Sequence, residues 1–228
     1  MPIFRVDNRV IYYAHVPKSG GTTVNRRLRE AGCELAFFDG AFWTSGEKRW
    51  FRSSPQHIAN RDRDLLFPDS FFDYSFTVVR EPVARFLSAF NHNRSRIGHA
   101  VSFARFLDLL EKRVEDKGDY FGYRFDNHFL PASQFIPSHC DVFHLEDGLD
   151  RLFQSLRKEL GLVPPNDVGT ENARDYDVLP SSSRFKSIVK RLISVPSPKK
   201  AQLSAEHINR IERLYAEDIA AFYSDRAC

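Results

Sequence analysis

The chain has 228 residues, 42% of them hydrophobic, and a formal net charge of +3. That is enough apolar material for a substantial core, and no Pro/Gly/Ser-rich linker divides it into halves of domain size, so one domain over 1–228 is expected. The mild basicity comes without a zinc-finger, recognition-helix or RNA-binding signature, which argues against a nucleic-acid partner; no apolar run reaches the roughly 18 to 20 residues of a spanning helix, which argues against an integral membrane segment.

Residues 1–16 are strand-like and carry Arg5, Asp7 and Arg9, unlike a signal peptide. Val10-Ile11-Tyr12-Tyr13-Ala14 predicts a buried strand near 9–16, and Val24, Leu28 and Ala31 predict a helix near 21–31 that ends at Gly32. Between them lies His15-Val16-Pro17-Lys18-Ser19-Gly20-Gly21-Thr22-Thr23. Such a turn is a phosphate cradle: Gly20 and Gly21 leave backbone N–H groups unhindered at the positive end of a helix, Lys18 adds a point charge, and Ser19, Thr22 and Thr23 add hydroxyls. The lysine precedes the glycine pair, whereas a Walker loop has it after a glycine and a four-residue gap, so the loop suits phosphate or sulfate without the Walker arrangement.

Further along, Phe76-Thr77-Val78-Val79 predicts a second strand over 75–80, leading through Arg80 and Glu81 to a helix that starts at Pro82 and aligns Val83, Phe86, Leu87 and Phe90. Arg80 at the strand end and Ser88 two turns into the helix form a pair suited to gripping one phosphate. Ser102 is a cap for a helix bearing Phe103, Phe106, Leu107 and Leu110. A third short strand is expected at Val142–Leu145, with Asp147 capping a helix closed by Gly161, and a last helix is expected over 204–223. Strand-loop-helix units in succession predict an α/β fold, P-loop-like, with three α/β/α layers around a central parallel sheet. The polar stretch 162–203 reads either as a surface loop or as a mobile lid that brings Lys199 and Lys200 to a nucleotide.

The two phosphate motifs together resemble those of sulfotransferases that use 3′-phosphoadenosine 5′-phosphosulfate (PAPS): Lys18 to Thr23 is similar to their 5′-phosphosulfate loop, and Arg80 to Ser88 to their 3′-phosphate motif. The carbohydrate branch, which includes the Golgi chondroitin and heparan sulfate enzymes, has further echoes in Gln56-His57-Ile58, Asp126-Asn127-His128-Phe129-Leu130-Pro131 and Tyr215 to Phe222. Glu81 departs from it, standing where the family more often has Asp or Asn. The resemblance implies PAPS as donor, no metal, and a hydroxyl acceptor expected on a carbohydrate. It also implies that Lys18, Ser19, Gly20, Gly21, Thr22, Thr23, Arg80 and Ser88 bind the nucleotide. Arg26, Arg27 and Arg29, with Arg94 and Arg96, would add a positive field for this anion.

Sulfuryl transfer needs a base near neutrality, which points to histidine. Of the eight histidines, His57 lies where the resembling enzymes place their catalytic one, and His128 is the second choice, as base or as a contact to the sugar. His15 is expected to shape the loop. Acceptor choice is assigned to loops such as 33–55, where Phe37, Phe38, Phe42, Trp43 and Trp50 either stack on sugar faces or belong to the core. Three separated cysteines without metal-ligand spacing read as reduced thiols; Golgi relatives carry a membrane anchor before the catalytic domain, and the lack of one here suggests a cytoplasmic protein, a bacterial one, or a trimmed chain. A nucleotide kinase, or a binding module without transfer activity, is the alternative; a kinase would need carboxylates for Mg²⁺, and Asp73 and Glu81 make a poor pair.

Overall fold

The computed structural model describes residues 1–44, 49–163 and 203–226. Four strands, β1 (Ile3–Val6), β2 (Arg9–Ala14), β3 (Tyr74–Val79) and β4 (Asp141–His144), form one sheet in that order. The β2–β3 and β3–β4 pairs are parallel, with Tyr13 opposite Phe76 and Val78 opposite Phe143. The expected parallel sheet is therefore present, with one correction at its edge: β1 runs antiparallel to β2. The cause is local, because Asp7 takes a positive φ of 52° and Asp7-Asn8 turns the chain back as a tight hairpin.

Side chains on β2 alternate between two cores. Ile11 and Tyr13 face Phe76 and Val78 beneath α1 (Gly21–Glu30) and α6 (Leu149–Leu160), where Val24, Leu28, Leu152 and Leu156 are fully buried. Tyr12 and Ala14 face the opposite layer, with Met1, Ile3 and Ile58. A third core joins α3 (Pro82–His92), α5 (Phe103–Lys117) and α7 (Ala205–Leu214) through Phe86, Phe90, Phe106 and Ile211. Short helices α2 (Asn60–Leu66), α4 (Arg94–Ile97) and α8 (Ala216–Phe222) complete the described elements.

Ser102 caps α5 as expected, its hydroxyl accepting from Arg105 N, and Gly161 closes α6 with a positive φ of 69°. Two boundaries are corrected. Gly148, not Asp147, is the N-cap of α6, because the chain first makes a 3-10 turn over Leu145–Asp147. The last helix is two, broken at Tyr215 (φ −116°), whose buried hydroxyl donates to the Phe129 carbonyl at 2.7 Å and draws the backbone inward. Residues 164–202, with Lys199 and Lys200 of the expected lid, lie outside the described residues. Among the described residues no helix is long and apolar enough to cross a membrane.

Candidate active site

The C-terminal ends of β2, β3 and β4 point the same way, and in open parallel sheets that rim is where ligands bind. From β2 the chain enters the loop His15–Gly20, in which Lys18 holds a positive φ of 68° and Gly20 one of 82°. A non-glycine residue in that region marks a backbone held by its surroundings, as at functional sites. Gly20 is confined from the β4 end: a Cβ on it would come within 2.9 Å of Leu145. Gly21 is confined by the loop's own first residue, because a Cβ there would sit 1.8 Å from His15 Nε2. This pair of contacts explains why two glycines stand here. His15 shapes the loop, stacked on Tyr13 with ring centres 5.2 Å apart.

The loop fits an oxyanion. Helix α1 begins without a capping side chain and without an acid in its first turn, which leaves its positive end to a ligand. The Ser19 hydroxyl is fully buried and has no hydrogen-bond partner among the described residues. From the β3 end Arg80 reaches the loop, its guanidinium donating to the Lys18 carbonyl at 3.4 Å. Glu81 caps α3, accepting from Val83 N and Ala84 N at 2.9 Å each, so its carboxylate serves the helix that carries Ser88, which is half-buried. The expected field of arginines is narrower than its sequence suggests. Arg26 pairs with Glu30 and Arg27 with Asp150, and buried Arg94 donates to the carbonyls of Gly98, His99 and Val101.

His57 lies beside this loop, its ring 5.0 Å from that of His15. It ends a 3-10 turn, Pro55–His57, that is held from two sides. Asp126 and Asn127 both adopt the left-handed conformation, which Asp and Asn tolerate better than other side chains. Asp126 accepts from Ser54 N at 2.6 Å and from the Ser54 hydroxyl at 2.7 Å, and Asn127 donates to the His57 carbonyl at 2.8 Å. The Met1 nitrogen donates to the Pro55 carbonyl at 3.0 Å.

Within that clasp His57 Nδ1 lies 2.8 Å from Asp126 Oδ2. Burial alone would raise the Asp126 carboxyl, but the charge and hydrogen bond of His57 and the bonds from Ser54 outweigh it and hold it down at about 2. Ionised, Asp126 can only accept. Nδ1 of His57 therefore carries the proton, and Nε2 carries the lone pair that a base needs.

His128 is built in the opposite sense. Its ring is 5.0 Å from that of His57, and its Nδ1 is 2.9 Å from Asn93 Nδ2. Burial, reinforced by His57 and Lys18, pushes its titration well below the ordinary histidine range, and the same forces act on His15. Both are neutral at pH 7. His57, Asp126 and His128 place one ligating atom each within 4.8 Å of one another, a set that could hold a metal ion.

A family model described as the sulfotransferase family matches residues 1–224. The chain belongs to the sulfotransferase family. No curated protein and no solved structure matches it. The rim of the parallel strands brings Lys18, the glycine pair, Arg80 and His57 to one end of the sheet. Three residues of this candidate site had no role assigned from the sequence. Ser54 and Asp126 orient His57, and Asn93 holds His128. The only linear signal was the Asp-Asn-His run, in which two residues tolerant of a positive φ precede a histidine.

Proposed function

We propose that this sulfotransferase moves a sulfuryl group from 3′-phosphoadenosine 5′-phosphosulfate to a hydroxyl of a carbohydrate, with 1–228 acting as one catalytic domain. The observation that carries the reading is the Asp126–His57 pair, with His57 meeting His15 at the edge of a loop that holds the orphaned Ser19 hydroxyl. His57 Nε2 takes the proton of the acceptor hydroxyl as its oxygen bonds to sulfur and the bond from sulfur to the phosphate oxygen breaks. Lys18 neutralises the charge that collects on that phosphate, and the backbone of Gly20 to Thr23, with Ser19, holds the remaining oxygens. Arg80 and Ser88 take the 3′-phosphate, and His128 lies on the acceptor side.

These roles ask for no metal, since transfer consists of positioning, charge neutralisation and one proton. Cys33 and Cys140 are free thiols, in keeping with a cytoplasmic setting. Adenosine 3′,5′-bisphosphate should bind the protein far better than AMP, and Arg80→Ala should remove most of the difference, because a charge-assisted bond contributes about 1.5 to 3 kcal/mol. Calorimetric titration of both nucleotides checks this. Equal affinity for the two, or a preference for ATP with Mg²⁺, would transfer the site to nucleotide-kinase chemistry.

A further inference from the structure

The carboxamide of Asn93 is buried at the end of α3, with the residue 1% exposed. Its Nδ2 donates to the Ala89 carbonyl at 2.9 Å, which fixes which end of the amide is nitrogen: the reverse orientation would set two carbonyl oxygens against each other. The second Nδ2 hydrogen is directed at His128 Nδ1 at 2.9 Å. An amide nitrogen cannot accept, so His128 Nδ1 must present its lone pair, and the proton of this neutral ring resides on Nε2. That N–H faces Asp126 Oδ2, 3.9 Å away. A metal at Nε2 would force the proton onto Nδ1, against the Asn93 amide hydrogen, so the same contact opposes metal binding by His128.

We propose that Asn93 is a positioning residue that fixes His128 as the Nε2–H tautomer, so that His128 serves as a hydrogen-bond donor beside Asp126 and the role of base is reserved for His57. The inference rests on the reading of His57 as the base. Two imidazoles with ring centres 5.0 Å apart would otherwise compete for one proton. Opposite partners separate them: a carboxylate on Nδ1 leaves His57 a lone pair at Nε2, and an amide N–H on Nδ1 leaves His128 a proton at Nε2. A wrong tautomer at such a position preserves geometry while removing function.

Long-range ¹⁵N–¹H correlation spectra of the full chain at neutral pH, with His128 assigned through His128→Gln, should show the proton of His128 on Nε2. Asn93→Asp replaces a donor by an acceptor and should move it to Nδ1. Turnover should then fall by about 10- to 100-fold, while the KM for the sulfuryl donor stays close to that of the unaltered protein. Asn93→Leu, which has neither donor nor acceptor, should leave both tautomers populated and lower turnover in the same way. The spectrum of the unaltered protein needs no variant to fold, and a proton on Nδ1 there overturns the proposal. A tautomer that moves in Asn93→Asp without loss of turnover overturns it equally. If the unaltered protein binds the nucleotide yet transfers no sulfuryl group to any acceptor, the assigned reaction fails instead, and the spectrum still decides the tautomer.

Discussion

In the proposed reaction, Lys18 and His57 divide the chemistry between the two oxygens that change partners. Lys18 is half-buried and at a positive φ, and the proposal assigns it to the charge that develops on the departing phosphate. Lys18→Ala should lower turnover by about 10² to 10³ with little change in donor affinity, and arginine should restore little, because a planar fork does not replace a compact ammonium in a tight turn. Steady-state kinetics beside nucleotide titration separates these effects. His57→Ala should cut transfer by about 10² to 10⁴ and leave adenosine 3′,5′-bisphosphate binding intact. Asp126→Asn should approach that loss, since an amide can turn its N–H toward Nδ1 and move the His57 proton to Nε2. An Asp126→Asn protein with undiminished turnover would show that orientation of His57 is not limiting.

At the scale of elements, the loop and the turn bearing the base are tied through one side chain. His15 fills the space that a Cβ on Gly21 would need and touches the His57 ring. Gly21 does not have a positive φ, so alanine is sterically barred there by His15 and not by its own backbone. Gly21→Ala alone should lose nucleotide binding, and the double variant His15→Ala, Gly21→Ala should regain part of it. Nucleotide titration of the three proteins checks this; a double variant no better than Gly21→Ala alone would mean that something besides the His15 ring excludes the methyl. Arg85 and Asp218 perform a similar tie between α3 and α8. They lie 3.6 Å apart in full burial, and Asp218 accepts from Ala132 N and Ser133 N. The terminal stretch that resembles the family thus ties α8 to α3 and to the turn at Ala132–Ser133.

For the whole molecule, the buried ionisable groups predict how stability depends on pH. His15 and His128 are held neutral when folded and take up a proton when unfolded, so stability should begin to fall as pH drops below about 6.5. Asp126 acts lower. Its carboxyl falls from 3.8 to about 2 on folding, so its contribution is fully present above about pH 4 and lost as pH falls through about 2. That shift corresponds to a contribution on the order of 2 kcal/mol. The urea midpoint should therefore decline in two stages, and Asp126→Asn should flatten the lower one while leaving the upper in place. A midpoint unchanged between pH 7 and 5 would contradict the neutral burial of the two histidines.

Much of the fold was legible because its signals are local. Val10 to Ala14 and Phe76 to Val79 are buried runs, Gly20 takes a positive φ that favours glycine, Ser102 starts a helix through its hydroxyl, and Gly161 stops one through its backbone. The two glycine- and arginine-bearing motifs were legible as short stretches whose spacing carries meaning, whereas His57 was singled out by the family resemblance, ahead of His128. Tertiary structure decided what depends on partners distant in the chain. Tyr215, for instance, breaks the last helix to reach Phe129, 86 positions away. Phe42 is core, whereas Trp50 is 58% exposed, though both belong to one aromatic stretch. Above all, the protons on His57 and His128 are set by Asp126 and Asn93, 69 and 35 positions away in sequence. A histidine's residue type supplies two nitrogens of nearly equal basicity, and only the neighbour that folding brings to one of them determines which keeps the proton.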